Sequence, residues 1–166
     1  QAGVDDATHL IVEHHLTQQP NDKREVAPTM ERLQQLPEAL GEVDNLLADT
    51  GYFSEANVIT AESNGITPYI PEGRQGHNEP LHERFADDPP APEQPNVVEA
   101  MRHRLKTRDG KAVYAQRKST VETVFGIIKQ VQGFRQFLLR GLDAVAGEWS
   151  LVCTGCNLKR LHALQG

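Results

Sequence analysis

The distribution of proline constrains this chain more than any other feature of its sequence. Six of its ten prolines lie between residues 71 and 97, among many acidic residues and almost no aliphatic ones. A stretch of this composition buries too little apolar surface to offset the entropy cost of ordering it. We therefore expect residues 71–97 to form a flexible insertion, with structured chain on either side.

The part of the chain before residue 71 alternates between strand and helix patterns. It begins with a predicted hairpin, in which strands around Gly3 and Ile11 flank a polar turn at Asp5 and Asp6. Asp22 is interpreted as the N-cap of the first helix. The further predicted elements are a helix from Asp22 to about Leu40, a buried strand over Val43–Ala48, a helix from Ser54 to about Ser63 closed by Asn64-Gly65, and an edge strand over Ile66–Ile70.

The part after residue 96 shows only helical patterns. The predicted helices run from Val97 to about Lys106 with Asn96 as cap, from Ser119 to about Gln132, and from about Ala144 to Leu164. Strands and helices that alternate before a run of helices indicate an α/β fold.

Charge is divided unevenly along the chain, whose net charge is -6. Residues 1–100 carry 5 Lys/Arg and 19 Asp/Glu, whereas residues 101–166 carry 12 Lys/Arg and 4 Asp/Glu. Such a split is typical of a protein with a polyanion-binding face, and it is equally expected if the two parts attract each other within the fold. The charge alone leaves both interpretations open.

Length and apolar patterning indicate a cytoplasmic protein. The chain has 166 residues, 38% of them hydrophobic, which suffices for one domain with a core. No apolar run approaches the ~20 residues of a membrane span, and the N-terminus has no signal-peptide pattern. Because the first residue is Gln1 and not Met, we expect an upstream portion to be missing.

The two cysteines, Cys153 and Cys156, form a single C-x-x-C. A structural zinc site needs four ligands, and His162 would supply only a third. The same spacing places two small apolar side chains on one face of a helix. Packing is therefore the simpler interpretation, with metal or redox use as the alternative.

Two carboxylates stand out by their positions. Asp49 ends a predicted strand, where α/β folds expose functional groups, although Asp is also a common turn former. Glu122 borders the apolar stripe of the predicted helix over 119–132, and Lys129 lies two turns further along the same face. A carboxylate aligned with a lysine suits a site that holds metal and phosphate together, but a solvated helix edge explains it as well.

The surrounding strings carry a family resemblance. Tyr114-Ala-Gln-Arg117-Lys118-Ser-Thr-Val-Glu122-Thr-Val-Phe125-Gly126-Ile-Ile-Lys129 resembles the Y-R-E-K signature of DDE transposases of bacterial insertion sequences. Leu46-Leu-Ala-Asp49-Thr-Gly51-Tyr52-Phe-Ser-Glu-Ala-Asn57 looks like the family segment that bears the second catalytic Asp. The residues that match elsewhere are Leu10-Ile-Val, Leu16-Thr17, Asn21-Asp22, Gly133-Phe134-Arg135 and Asn157-Leu158. The resemblance covers nearly the whole chain outside 71–97.

The resemblance implies a ribonuclease-H-like mixed sheet with flanking helices, of which residues 1–166 form a single partial DDE catalytic domain. In that fold the first catalytic Asp lies on a first strand that two further strands follow before the first helix. Only two strands precede the helix here, so we expect the first strand and its Asp to be absent. Asp5 and Asp6 are interpreted as turn residues.

One basic residue departs from the family spacing. Lys118 occupies the strict position of the signature Arg, while Arg117 and Tyr114 are each displaced by one. We assign the basic role to Arg117, with Lys118 as the competitor. The spacing from Glu122 to Lys129 is the expected one.

The resemblance also implies the chemistry. It is metal-dependent phosphodiester hydrolysis and strand transfer, with Asp49 and Glu122 as catalytic ligands of Mg²⁺ or Mn²⁺. Tyr114, Arg117, Lys118 and Lys129 would contact DNA. The implied partners are transposon ends and target DNA, a homo-oligomer in the synaptic complex, and no membrane, at the bacterial nucleoid in the cytoplasm. The alternative is a catalytically inactive DNA-binding or assembly remnant of a transposable element.

Overall fold

A computed structural model describes residues 1–73 and 87–166, and these residues form two compact units. The first unit contains residues 1–20, 31–36 and 116–166, and the second contains residues 21–30 and the described residues of 37–115. The prediction of one partial catalytic domain over 1–166 stays a prediction. No helix in the described ranges is long and apolar enough to cross a membrane.

The first unit begins with the predicted hairpin. Strand β1 (Ala2–Val4) pairs with β2 (Ile11–His14) in antiparallel register, with Ala2 opposite His14. The Asp5 carboxylate accepts a hydrogen bond from the Thr8 N–H at 2.8 Å, which is the side-chain-to-backbone bond that makes Asp a turn residue. The turn interpretation of Asp5 is therefore confirmed.

Two long helices complete the first unit. Helix α4 (Arg108–Gly126) contributes its residues from 116 onward and continues into a π-helical segment, Ile127–Val131, and helix α5 spans Leu142–Leu164. Asn157 on α5 bonds both the N–H and the C=O of Ile11, each at 2.8 Å, and thereby attaches the helix to β2. The buried core of this unit consists of Ile11, Val124, Ile128, Trp149, Cys153 and Cys156.

The second unit is built on a β-α-β arrangement. Strand β3 (Asn45–Leu47) pairs in parallel with β4 (Thr67–Tyr69), and helix α2 (Glu55–Ser63) connects them. Helix α3 (Val97–Arg104) packs against α2 and β4. The buried core of this unit consists of Ala48, Val58, Tyr69, Ile70, Val98, Met101 and Leu105.

The predicted caps of these helices are confirmed. Ser54 accepts from the Asn57 N–H at 3.1 Å, and Gly65 ends α2 with φ +75°. Asn96 and Glu99 form a reciprocal capping box at the start of α3.

Two helix predictions are wrong in extent. The helix expected from Asp22 to Leu40 is a 3-10 turn over Asp22–Arg24, a helix α1 over Val26–Leu33 and a second 3-10 turn over Glu38–Leu40. Pro37 explains why the helix does not continue to Leu40, because proline disfavours helical geometry in the preceding residue, Leu36. Helix α4 begins well before the predicted Ser119, and the Asp88 carboxylate accepts from its first N–H, that of Arg108, at 2.7 Å.

The mixed α/β character is confirmed. Among the described residues, the four strands pair into two separate two-stranded sheets. The ribonuclease-H-like arrangement stays a prediction.

The Pro-rich stretch lies partly outside the described residues, at 74–86. At its C-terminal end, Asp88 contacts the start of α4, and the Pro89 carbonyl lies 2.9 Å from Nε2 of His103 on α3. These two contacts attach residues 88 and 89 to the second unit, and the predicted flexibility of 71–97 stays a prediction.

Candidate active site

Asp49 lies just beyond the end of strand β3, as the sequence predicted. It follows buried Ala48 at the end of β3, and its side chain is exposed. Its Oδ1 accepts from the Gly51 N–H at 2.8 Å and so caps the 3-10 turn Thr50–Tyr52. Asp49 therefore acts as a turn former and still exposes its carboxylate to solvent.

A second carboxylate lies beside this turn. A Cβ on Gly51 would come within 3.0 Å of Asp49 Oδ1 and 3.3 Å of Asp22 Oδ2, so both carboxylates approach the same glycine. The sequence pattern indicated Asp22 only as a helix cap. A side chain at position 51 would crowd both carboxylates, and these would have to shift slightly to make room.

Asn57 joins the two turns, a role that the sequence did not reveal although Asn57 ends the string that resembles the second-Asp segment. Its side chain is buried, and its Nδ2 donates to the Lys23 carbonyl at 2.8 Å and to the Tyr52 carbonyl at 2.6 Å. The signal in the sequence was a polar residue beside Val58 on the inner face of α2. Since its two partners are backbone atoms far apart in sequence, the sequence could not reveal them.

The signature residues of the second half lie on α4 and the π-helical segment. Lys118, Glu122 and Lys129 are all exposed, and their spacings of four and seven residues place them on one face of the helix. The Lys129 ammonium lies 5.8 Å from the centroid of the Phe125 ring. The residues buried on another face are Thr120, Val124 and Ile128.

Arg117 and Tyr114 differ from these three residues in exposure. Arg117 is half-buried, and Tyr114 is half-buried and packs against the core of the second unit. Lys118 is therefore better exposed than Arg117 to contact a ligand. The assignment of the basic role to Arg117 stays a prediction, and exposure favours its competitor.

The two predicted metal ligands belong to different units. Asp49 lies in the second unit and Glu122 in the first, so their proximity stays a prediction. Within residues 1–73 and 87–166, no three His, Cys, Asp or Glu side chains lie close enough together to hold a metal ion. Both side chains offer exposed carboxylate oxygens, the ligand type that Mg²⁺ prefers. Two carboxylates are fewer ligands than a two-metal site needs.

Two arginines of helix α3 form ion pairs and hydrogen bonds within the protein. Arg102 Nε donates to Glu72 at 3.0 Å, and this hydrogen bond holds the pKa of Glu72 below its usual value. Arg104 donates to the Pro68 carbonyl at 3.0 Å and to Glu62 at 3.1 Å. The interpretation that acidic and basic parts attract each other therefore applies to α3, whereas Lys118 and Lys129 are exposed.

The C-x-x-C cysteines are core residues. Cys153 and Cys156 are both buried on α5, and burial raises the pKa of Cys153 to about 12 and also raises the pKa of Cys156. Metal binding and redox exchange both require thiolate, which such pKa values keep scarce at neutral pH. The contacts of both cysteines agree with the packing interpretation.

Comparison with known proteins adds one finding. Residues 91–162 match a family model described as "Transposase DDE domain". The matched range is less than half of the chain; it contains Tyr114, Glu122 and Lys129 and does not reach Asp49. No curated protein and no solved structure matches the chain significantly. The family match supports the predicted relation to DDE transposases, while the bacterial insertion-sequence origin and the Y-R-E-K subtype stay predictions.

Proposed function

We propose that this chain is part of a DDE transposase of a bacterial insertion sequence, which cuts and joins DNA by metal-dependent phosphodiester hydrolysis and strand transfer. The observation that carries the proposal is the match of residues 91–162 to the transposase DDE model. That range includes the helix face with Lys118, Glu122 and Lys129 exposed in line.

In this proposal Asp49 and Glu122 hold the divalent cation, Mg²⁺ or Mn²⁺. When bound, paired cations activate the attacking hydroxyl and stabilise the leaving oxygen of a phosphodiester. Asp49 is suited to the role because its capping bond with Gly51 orients the carboxylate while leaving it exposed. The proposed fold is ribonuclease-H-like, because such folds bring carboxylates from a strand end and a late helix together.

The basic residues bind and orient DNA. Lys118 and Lys129 flank Glu122 on one helix face, so a phosphate beside Glu122 would meet a cation on either side along the axis. Arg117 and Tyr114 are half-buried, and their exposed parts would contact the DNA backbone next to the phosphate that the two lysines bind.

DNA binding by the 166-residue chain tests this proposal. We expect weak binding to duplex DNA whose affinity falls steeply between about 50 and about 200 mM salt, because Lys and Arg displace counterions from phosphates. Lys118→Ala and Lys129→Ala should each lower the salt slope by about 1. Fluorescence anisotropy of a labelled duplex measures both quantities.

Arg102→Ala serves as the control, since it removes the same charge from a side chain that already pairs with Glu72. It should leave the slope nearly unchanged. We also expect no cleavage with Mg²⁺ or Mn²⁺, because two carboxylates under-ligand a two-metal site. Salt-independent binding, or equal slopes in all three variants, would contradict the proposed interface.

A second experiment tests whether Asp49 and Glu122 share a cation. We expect added Mn²⁺ to broaden the amide NMR signals of both Gly51 and Thr123, because a shared ion lies near both carboxylates. Asp49→Asn should then abolish the broadening at Thr123, and Glu122→Gln the broadening at Gly51.

The cross-effect is the decisive part of this measurement. If each substitution removes broadening only at its own position, the two carboxylates bind Mn²⁺ separately and the assigned pair is wrong. Glu55→Gln is a matched control, since it removes an exposed carboxylate from α2 that has no assigned role.

A non-catalytic DNA-binding or assembly remnant remains the second candidate. The observation that favours it is the structural use of Asp49 as a turn cap, which explains this aspartate without catalysis. DNA binding without any cross-effect on Mn²⁺ would favour this candidate over the enzyme.

A further inference from the structure

The first unit contains an open cavity of about 280 Å³ whose lining includes four aromatic residues. Its lining includes two cations and, within the described part of the chain, no acidic side chain. The cations are Lys129 and Arg135, and the aromatic walls are Phe125, Phe134, Phe137 and Trp149. Two positive charges that line one cavity without an acidic side chain favour an anion.

We propose that Lys129 and Arg135 together hold one phosphate of the DNA backbone at this cavity, and that Glu148 is a positioning residue for Arg135. The inference rests on the proposed function and deepens it. It adds Arg135 and Glu148, to which the signature strings assign no role, and it pairs Lys129 with a second cation that lines the same cavity.

Arg135 belongs to the segment formed by residues 133–141. Hydrogen bonds from Leu138 and Leu139 to Glu148 hold this segment in place. The Glu148 carboxylate accepts from the Leu138 N–H at 2.9 and 3.1 Å and from the Leu139 N–H at 3.0 Å. The positive φ of Gly133 and Gly141, +73° and +87°, lets the chain turn at both ends of the segment. Hydrogen bonds to an ionised carboxylate are stronger than neutral ones, so Glu148 restrains the segment.

Aromatic packing restrains the same segment from within. The Phe137 ring meets Phe134 edge-on with centroids 5.4 Å apart and meets Trp149 at 6.2 Å. The backbone on either side of Arg135 is thereby supported by the core of the first unit.

The guanidinium of Arg135 retains N–H donors that can bind a ligand. It donates to Gln130 Oε1, its one hydrogen-bond partner among the described residues, and its side chain is exposed. A guanidinium has five N–H donors, so a fork remains for phosphate oxygens. Lys129 lines the same cavity as a point charge and complements that fork.

The first test compares two arginines of one segment. Arg135→Ala should weaken duplex binding roughly tenfold, the loss expected for one charge-assisted contact, and lower the salt slope by about 1. Arg140→Ala removes the same charge from the same segment, but Arg140 does not line the cavity, so it should change affinity less than about twofold. Arg135→Lys keeps the charge without the fork and should fall between the two.

The second test separates positioning from simple electrostatics. Removing the negative charge of Glu148 should tighten DNA binding if that charge only repels phosphates. If Glu148 positions Arg135, Glu148→Ala should instead weaken binding about threefold, and Glu148→Gln, which keeps one acceptor, should weaken it less. In the Arg135→Ala background, Glu148→Ala should weaken DNA binding no further. The reason is that the effects of two substitutions are not additive when one residue acts through the other.

Three results would contradict the phosphate site proposed at Lys129 and Arg135. Wild-type binding that Arg135→Ala leaves unchanged, equal losses in Arg135→Ala and Arg140→Ala, or additive effects of positions 135 and 148 would overturn this inference and leave the proposed function standing. A wild-type chain that does not bind DNA would overturn both. Thermal melts of every variant, monitored by circular dichroism, show whether a loss comes from unfolding.

Discussion

We expect Gly110→Ala to destabilise the protein by about 3 kcal/mol, the upper end of the usual cost of overpacking, because the neighbouring atoms belong to the backbone. A Cβ at this position would lie 1.9 Å from the Arg104 carbonyl oxygen and 2.7 Å from the carbonyl carbon. Both are backbone atoms at the end of α3, so no side chain can swing aside. Urea unfolding followed by far-UV circular dichroism measures the loss.

Gly147→Ala is the matched control on helix α5. A Cβ there meets no atom within 4 Å, and the backbone is helical, so alanine should stabilise the chain by up to about 1 kcal/mol. If Gly110→Ala behaves like Gly147→Ala, the close approach of α3 and α4 is wrong.

We expect Trp149→Ala to lower the free energy of unfolding by about 3–5 kcal/mol, the usual cost of removing a buried aromatic side chain. Trp149 is 6% exposed, and its ring lies 6.1 Å from Phe125 and 6.4 Å from Phe134 between centroids. Its Nε1 also donates to the Gln1 carbonyl at 3.2 Å. Denaturant unfolding monitored by circular dichroism is suitable, because the variant lacks the only tryptophan.

Leu151→Ala is the control for this prediction. Leu151 lies on the same helix but is 75% exposed, so its truncation should change stability by no more than about 0.5 kcal/mol. A comparable loss in both variants would mean that the exposed face of α5 is covered in solution. A small loss at Trp149 alone would contradict its place at the centre of the first unit's core.

Short-range features were predictable because their causes lie within a few residues. The Asp5 turn, the Ser54 cap, the Gly65 helix end and the Asn96 capping box each depend on groups at most five positions apart in the chain. The alignment of Glu122 and Lys129 on one helix face follows from helical periodicity in the same way.

Features that depend on distant partners were not predictable. The start of α4 is bonded by Asp88, twenty positions before Arg108, and the two turns beside Asp49 are joined by the buried amide of Asn57. Arg117 and Lys118 are adjacent in sequence, and only packing distinguishes the half-buried residue from the exposed one. Charge counts likewise could not reveal that Arg102 is paired with Glu72.

The sequence by itself determined the mixed α/β class, the local caps, and the placement of Asp49 after a strand and Glu122 on a helix. These features follow from local backbone preferences and from the period of apolar residues, which neighbouring positions specify. Only the tertiary structure decided which side chains are exposed, which charges are paired, and that Lys129 and Arg135 line one cavity. The physical reason is that burial and hydrogen bonding depend on groups the folded chain brings together from distant positions, as when Asn157 on α5 bonds the backbone of Ile11.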